Sequence, residues 1–313
     1  MEKVCFGIDV GGTTVKIGLF TADAKLVDSM EIPTRKEDEG SHILPDICEA
    51  IDAKLVEKKI TRENLVGVGI GIPGPITKDG TVLNCVNLGW GMFNVEEKLS
   101  QMLGGVTVKA GNDANVAALG ETWQGGGRGF EDLVLVTLGT GVGGGVIIGG
   151  KIVTGSNGAA GEIGHIPAVD HDAETCGCGK KGCLETVGSA TGIVREAKKA
   201  LARSEEPSKL REIEDFSCKD IFDAAKEEDK IALEVVDKLA YHLGKAIAGI
   251  AAVTNPQVIV IGGGVSKAGK YLLDKIEDNF NEYAFHATKN AKFALATLGN
   301  DAGMYGAAAL IIG

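Results

Sequence analysis

VCFGIDVGGTTVKIGLF, residues 4–20, reads as an apolar run, a Gly/Thr turn and a second apolar run, the pattern of a β-hairpin. The turn at Gly11, Gly12 and Thr13 would offer backbone N–H groups and hydroxyls to an anion, with Asp9 placed to hold a hydrated magnesium ion. An ordinary hairpin turn with a solvent-facing Asp is the competing reading. The pattern returns at 133–148, LVLVTLGTGVGGGVII, with Thr140, Gly141 and Gly143 in or beside its turn. Such a repeat predicts a duplicated α/β framework with two phosphate-gripping hairpins. Gly139, Gly141 and Gly144 also satisfy G-x-G-x-x-G, but that fingerprint must open a helix, and Val146, Ile147 and Ile148 are β-branched and read as a strand. There is no G-x-x-x-x-G-K-[ST], which excludes a P-loop enzyme.

The second dense stretch is GEIGHIPAVDHDAETCGCGKKGCLE, residues 161–185. His165, Cys176, Cys178 and Cys183 make a closed tetrahedral zinc set, with glycines where the chain must turn about a small centre. Such a zinc is structural and leaves no coordination position for chemistry; it would fix the flanking Glu162 and Glu185. Redox-active thiols are a weaker reading, because Cys-x-Cys lacks the usual Cys-x-x-Cys spacing. A nucleic-acid zinc ribbon is weaker still, and His171 competes with His165 for the fourth position.

A chain of 313 residues exceeds what one hydrophobic core usually organises, so two domains are expected. We place a small α/β domain at 1–118, completed by a helix over 302–313, and a large α/β domain containing the zinc loop at 119–301. A net charge of -11 argues against nucleic acid and anionic membrane surfaces. Seven cysteines are an odd number, no signal peptide is read ahead of Val4, and no apolar run nears membrane-spanning length, so a cytoplasmic protein is expected.

Between the hairpins, Ile43, Ile47, Ile51 and Leu55 predict an amphipathic helix with Pro45 in its first turn. Residues 66–72 alternate glycine with Val or Ile, as a strand does where another backbone or a ligand comes close, and end in Pro73-Gly74-Pro75, a rigid turn suited to lining a pocket. LNCVNLGW, 83–90, suits a polar ligand or a turn with a packed indole. Asn112 and Asp113 sit at a strand-to-helix junction, where either could cap the helix and Asp113 is also placed to act as a general base. Further on, Val235, Leu239, Leu243, Ile247 and Ile250 predict a long helix stopped by Asn255-Pro256. Val258–Ile261 predicts a buried strand, and Gly262, Gly263 and Gly264 a seat for the adenosine end of a nucleotide. Segments 31–42 and 203–219 read as charged surface.

DVGGTT at 9–14, GNDANVAALGE at 111–121, LGTGVGGG at 138–145, GEIGH at 161–165 and CGCGKKGCLE at 176–185 together resemble the ROK family of sugar kinases and repressors, in order and spacing over essentially the whole chain. LNCVNLGW and GSNGAAGEIGH are most similar to the family's bacterial glucokinases. The repressors carry a helix-turn-helix domain ahead of the first hairpin, whereas few residues precede it here. The resemblance implies an actin-like, hexokinase-type (ribonuclease H-like) two-domain fold with a cleft, and ATP as donor to glucose or a related hexose. It implies Asp113 as the base for the sugar 6-hydroxyl, with Asn112, Glu162, His165 and Glu185 holding other hydroxyls. It places His165 on zinc in preference to His171, phosphates at Gly11–Thr13 and Thr140–Gly143, and adenosine near Gly262–Gly264. A homodimer or homotetramer is expected on the same ground. A kinase for fructose, mannose, allose or an N-acetylhexosamine, and a non-catalytic sugar sensor, are the rival expectations.

Overall fold

A computed structural model describes residues 3–171 and 173–313. The chain divides into two compact units. One runs to Glu131 and includes Gly145–Gly161 and Leu298–Gly313; the other is Asp132–Gly144 with Glu162–Thr297.

In the first unit, β1 (Val4–Val10) and β2 (Thr14–Thr21) form the expected hairpin, in antiparallel register from Val10 opposite Val15 to Val4 opposite Thr21. β3 (Leu26–Pro33) continues the meander, and α1 (Glu37–Gly40) and α2 (Ile43–Glu57) follow. β4 (Leu65–Ile72) pairs parallel to β1. After it come β5 (Thr81–Val82), β6 (Phe93–Asn94) and α3 (Val95–Met102). β7 (Val108–Asn112) then pairs parallel to β4 and leads into α4 (Asp113–Gln124), giving the sheet order β3-β2-β1-β4-β7. Residue 118 therefore lies within a continuous helix.

The period of two in β1 and β4 separates two faces. Phe6, Ile8, Val68, Ile70 and Ile72 join Ile43, Ile47, Ile51 and Leu55 of α2 in one buried core, each such side chain worth about 1.5–3 kcal/mol of burial. The glycine face receives α10 (Ala302–Ile312) backbone to backbone. A Cβ on Gly69 would lie 1.7 Å from the Ala307 carbonyl oxygen, and one on Gly7 2.1 Å from that of Met304. The approach that the alternating glycines of β4 signal is thus a helix backbone. Trp90 is buried, its indole N–H donating to the Gly40 carbonyl at 3.0 Å, so LNCVNLGW is a turn with a packed indole; Asn84 and Asn87 are exposed.

The second sheet contains β8 (Leu133–Leu138), β9 (Val142–Ile148), β10 (Lys151–Ile152), β11 (Val258–Gly262) and β12 (Lys292–Leu295), in the order β10-β9-β8-β11-β12. β8, β11 and β12 are parallel, and the division between units falls within β9. Among the described residues, four α-helices accompany the second unit before β11: α5 (Glu185–Gly188), α6 (Ala190–Arg203), α7 (Cys218–Lys226) and α8 (Lys230–Thr254); α9 (Lys270–Tyr283) follows it. Asn255, at φ 44°, is the left-handed cap that ends α8. Ala251 rather than Ile250 completes the buried stripe of that helix. Segment 203–219 is not wholly surface, because Leu210 and Phe216 are buried within it. No helix among the described residues is long and apolar enough to cross a membrane.

Candidate active site

In the first unit the turn after β1 is shaped by three hydrogen bonds. Gly11 N donates to Thr14 O at 2.9 Å, Thr34 N to Thr13 O at 2.9 Å, and the Thr34 hydroxyl to Gly11 O at 2.7 Å. Gly12 and Thr13 are left exposed. Asp9, in β1, is flanked by the start of α10, where a Cβ on Gly303 would lie 2.5 Å from its carboxyl carbon. Burial pushes the Asp9 carboxyl up to about 6, and the negative charge of Asp113 adds to the rise against the opposing pull of Lys16. Lys16 is the cross-strand partner of Asp9, and its ammonium donates to Asp301 Oδ1 at 3.0 Å and Asn300 O at 3.1 Å.

The junction of β7 and α4 carries the next two residues. Asn112 is the N-cap: its Oδ1 accepts from Ala114 N and Asn115 N, both at 3.1 Å, while its Nδ2 donates to Gly74 O at 3.1 Å. Asp113 begins the helix, where the N-terminal dipole favours a carboxylate, and its Oδ1 accepts from Ala114 N at 2.8 Å. Gly74 has φ +101°, a backbone that L side chains rarely adopt, and this bend delivers its carbonyl to Asn112. The first unit therefore brings Asp9, Gly11–Thr13, Gly74, Asn112 and Asp113 onto the carboxyl ends of β1, β4 and β7, where ligands of α/β sheets characteristically bind.

In the second unit, His165, Cys176, Cys178 and Cys183 place one ligand atom each within 4.8 Å of all the others. Cys178 Sγ and Cys183 Sγ are 3.6 Å apart, and Cys176 Sγ lies 3.7 Å from His165 Nδ1. A tetrahedral zinc with bonds of about 2.3 Å to sulfur and about 2.0–2.1 Å to nitrogen requires separations of about 3.8 and 3.6 Å, so the set fits that ion. His171 is outside the cluster. Gly182, at φ +76°, has no room for a side chain, since a Cβ would meet the Val169 carbonyl oxygen at 2.1 Å. Nε2 of His165 is 3.8 Å from Glu162 Oε2.

Glu185 joins this loop to the second hairpin. Its Oε2 accepts from Val142 N at 3.1 Å and its Oε1 lies 3.6 Å from Cys176 Sγ. A Cβ on Gly141 would meet Glu185 Oε2 at 2.4 Å, so a side chain there would push the Glu185 carboxylate from its place. The turn is also held from α6: Ala190 N donates to Gly139 O at 2.8 Å and the Thr191 hydroxyl to Thr140 O at 3.1 Å. Gly262 pairs with Thr137 of β8, so the Gly262–Gly264 bend and the second hairpin leave the same end of one sheet. Gly263, at φ +83°, needs to be glycine because a Cβ would lie 2.5 Å from the Leu138 carbonyl oxygen.

Sequence reasoning missed Lys16, Asp301 and Gly303 around Asp9. Lys16 was detectable, since pairing across a tight hairpin sets it opposite Asp9. Asp301 and Gly303 come from the far end of the chain and left no local signal.

The sequence profile of the ROK family matches residues 5–313. The glucokinase of Halalkalibacterium halodurans is 46% identical over 310 residues, covering 97% of this chain and 94% of that protein. The glucokinase of Thermotoga maritima is 36% identical, covering 97% and 96%. Among solved structures, a ROK family glucokinase from Streptomyces griseus in complex with glucose and AMPPNP is 33% identical with a TM-score of 0.75, over 98% of this chain and 99% of that one.

Proposed function

We propose a reaction from one premise: this chain belongs to the ROK family. It has that family's actin-like, hexokinase-type fold and is an ATP-dependent sugar kinase, a glucokinase that moves the terminal phosphoryl group of ATP to the 6-hydroxyl of glucose. The carrying observation is the Glu185 carboxylate, which touches the cysteine loop through Cys176 and the second hairpin through Val142 N. A residue of the sugar-holding loop is thereby built into a phosphate-holding turn.

Phosphoryl transfer asks a protein chiefly for positioning and charge neutralisation. In our reading Asp113 accepts the hydroxyl proton as the oxygen attacks the terminal phosphorus, and ADP leaves. Asn112 fixes Asp113 by capping the same helix and tethering it to Gly74. The exposed turn residues Gly12 and Thr13, and the turn Thr140–Gly143, receive phosphate oxygens, with adenosine against Gly262–Gly264. Asp9 has the buried carboxylate chemistry to hold magnesium, which neutralises phosphate charge when bound. Glu162, His165 and Glu185 hold sugar hydroxyls. His165, Cys176, Cys178 and Cys183 hold zinc as a clamp on the loop that carries those residues.

ADP release measured over glucose, fructose, mannose, allose and N-acetylhexosamines, with ATP or polyphosphate as donor, tests this. Glucose with ATP is expected to give the highest kcat/KM. Preference for another sugar would overturn the assignment of glucose, and absence of turnover with every pair would overturn the kinase.

A further inference from the structure

Glu196 is a charged side chain only 8% exposed, on α6, away from the residues assigned to substrate. A buried carboxylate needs partners, and it has two. Lys199 donates to its Oε1 at 3.1 Å and Lys238 of α8 to its Oε2 at 2.5 Å. Lys199 also reaches Glu174 Oε1 at 2.6 Å. Glu174 lies at the base of the cysteine turn, where its carbonyl accepts from Gly182 N at 3.0 Å. One further tie runs from α6: Arg195 donates to the carbonyl of Thr186, whose hydroxyl donates to Cys183 O at 2.7 Å.

The described residues of the loop these ties reach, 161–184, bond chiefly to one another, as in Ala168 N to Gly182 O and Leu184 N to Ile166 O, both at 2.8 Å, so its seating against α6 and α8 falls to side chains such as these. We propose that Glu196 and Lys199 are positioning residues: a chain of ion pairs Lys238–Glu196–Lys199–Glu174 straps the cysteine loop to α6 and α8 and so sets where Glu185 points. Glu196 anchors the strap because its burial fixes the Lys199 ammonium, and Glu174 is the end that grips the loop. The sugar-affinity consequence rests on the reading of Glu185 above; the mechanical claim does not.

The test compares Lys199→Met, Glu174→Gln, their double variant and Lys199→Arg with wild type. The readouts are amide hydrogen exchange over residues 174–184, the rate of zinc release to a chromogenic chelator, and glucose KM against kcat. Lys199→Met is expected to raise exchange and zinc release about 2–5-fold, the range of a half-exposed ion pair, and to raise KM by a similar factor, with kcat within about twofold of wild type. Glu174→Gln is expected to act in the same direction, the double variant to be no worse than Lys199→Met, and Lys199→Arg to restore wild-type values. Unchanged exchange and zinc release in both single variants would overturn the strap, as would effects that multiply in the double variant. Glu196→Gln is expected to match Lys199→Met; should it unfold, the more exposed Lys199 and Glu174 still decide the matter. A wild-type protein without zinc would overturn the clamp alone, and exchange would still read the strap. Faster exchange and zinc release with unchanged KM would separate the strap from the sugar-binding role of Glu185.

Discussion

Asp113→Asn is the sharpest perturbation, because the structure predicts which properties survive it. Asn is isosteric and its Oδ1 can still accept from Ala114 N, now at 2.8 Å, while Asn112 continues to cap α4. The loss of one negative charge from the first turn of a helix costs about 0.3–1 kcal/mol, too little to unfold a domain of this size. A positioned general base contributes about 10²- to 10⁴-fold, so kcat should fall by that factor, about 3–5.5 kcal/mol in activation free energy. Glucose affinity should change little. There is also a second signature: the Asp113 charge helps hold the Asp9 carboxyl up at about 6, so its removal should lower the Asp9 pKa. Coupled measurement of ADP release at saturating glucose and ATP gives kcat, calorimetry gives glucose affinity, and carboxyl carbon NMR gives the Asp9 titration. A variant with kcat within about tenfold of wild type and normal glucose binding would refute Asp113 as the base. An unmoved Asp9 titration would refute the coupling on its own.

Because the Asp9 carboxyl is raised in the fold, folding favours its protonated form. Its contribution is therefore fully present below the ordinary carboxylate pKa and is lost as pH rises through about 6. Magnesium-free protein should lose thermal stability across that window, Asp9→Asn should flatten the dependence, and identical pH profiles for the two proteins would contradict the burial argument. Gly69→Ala puts a methyl 1.7 Å from the Ala307 oxygen and should cost about 3 kcal/mol or more, whereas Gly249→Ala, at an exposed position of α8 with nothing within 4 Å, should stabilise by about 0.4–1 kcal/mol. Denaturant melts of the pair check both signs. Chelation, or Cys178→Ala, should release zinc and raise glucose KM about tenfold or more; unchanged sugar affinity in metal-free folded protein would sink the clamp.

What was legible in the sequence was whatever a short window decides. Both hairpins, the α2 and α8 stripes and a helix cap at Asn112 or Asp113 follow from side-chain period and local hydrogen bonding; the spacing of the thiols singled out Cys176, Cys178 and Cys183, whereas His165 was preferred to His171 only through the family resemblance. β3 was missed because it lies at the sheet edge with an exposed and half-exposed pattern, so it has no buried run to announce it. β5 and β6 are two residues each, too short for any period to show. Leu210 and Phe216 were lost among charges that hide two buried anchors. Which ring nitrogen faces the sulfurs, and that Glu185 binds Val142 N, depend on contacts between segments distant in sequence. The glycines of β4 announced a close approach, but only the folded chain shows that α10 makes it.

That approach couples the timing of folding to chain order. β1, β4 and β7 leave the ribosome well before α10, and until it arrives Gly7 and Gly69 lack the helix backbone that covers them. The nascent sheet therefore carries that uncovered stretch throughout synthesis of the intervening residues. Proofreading of the N-terminal portion waits on residues translated almost two hundred codons later.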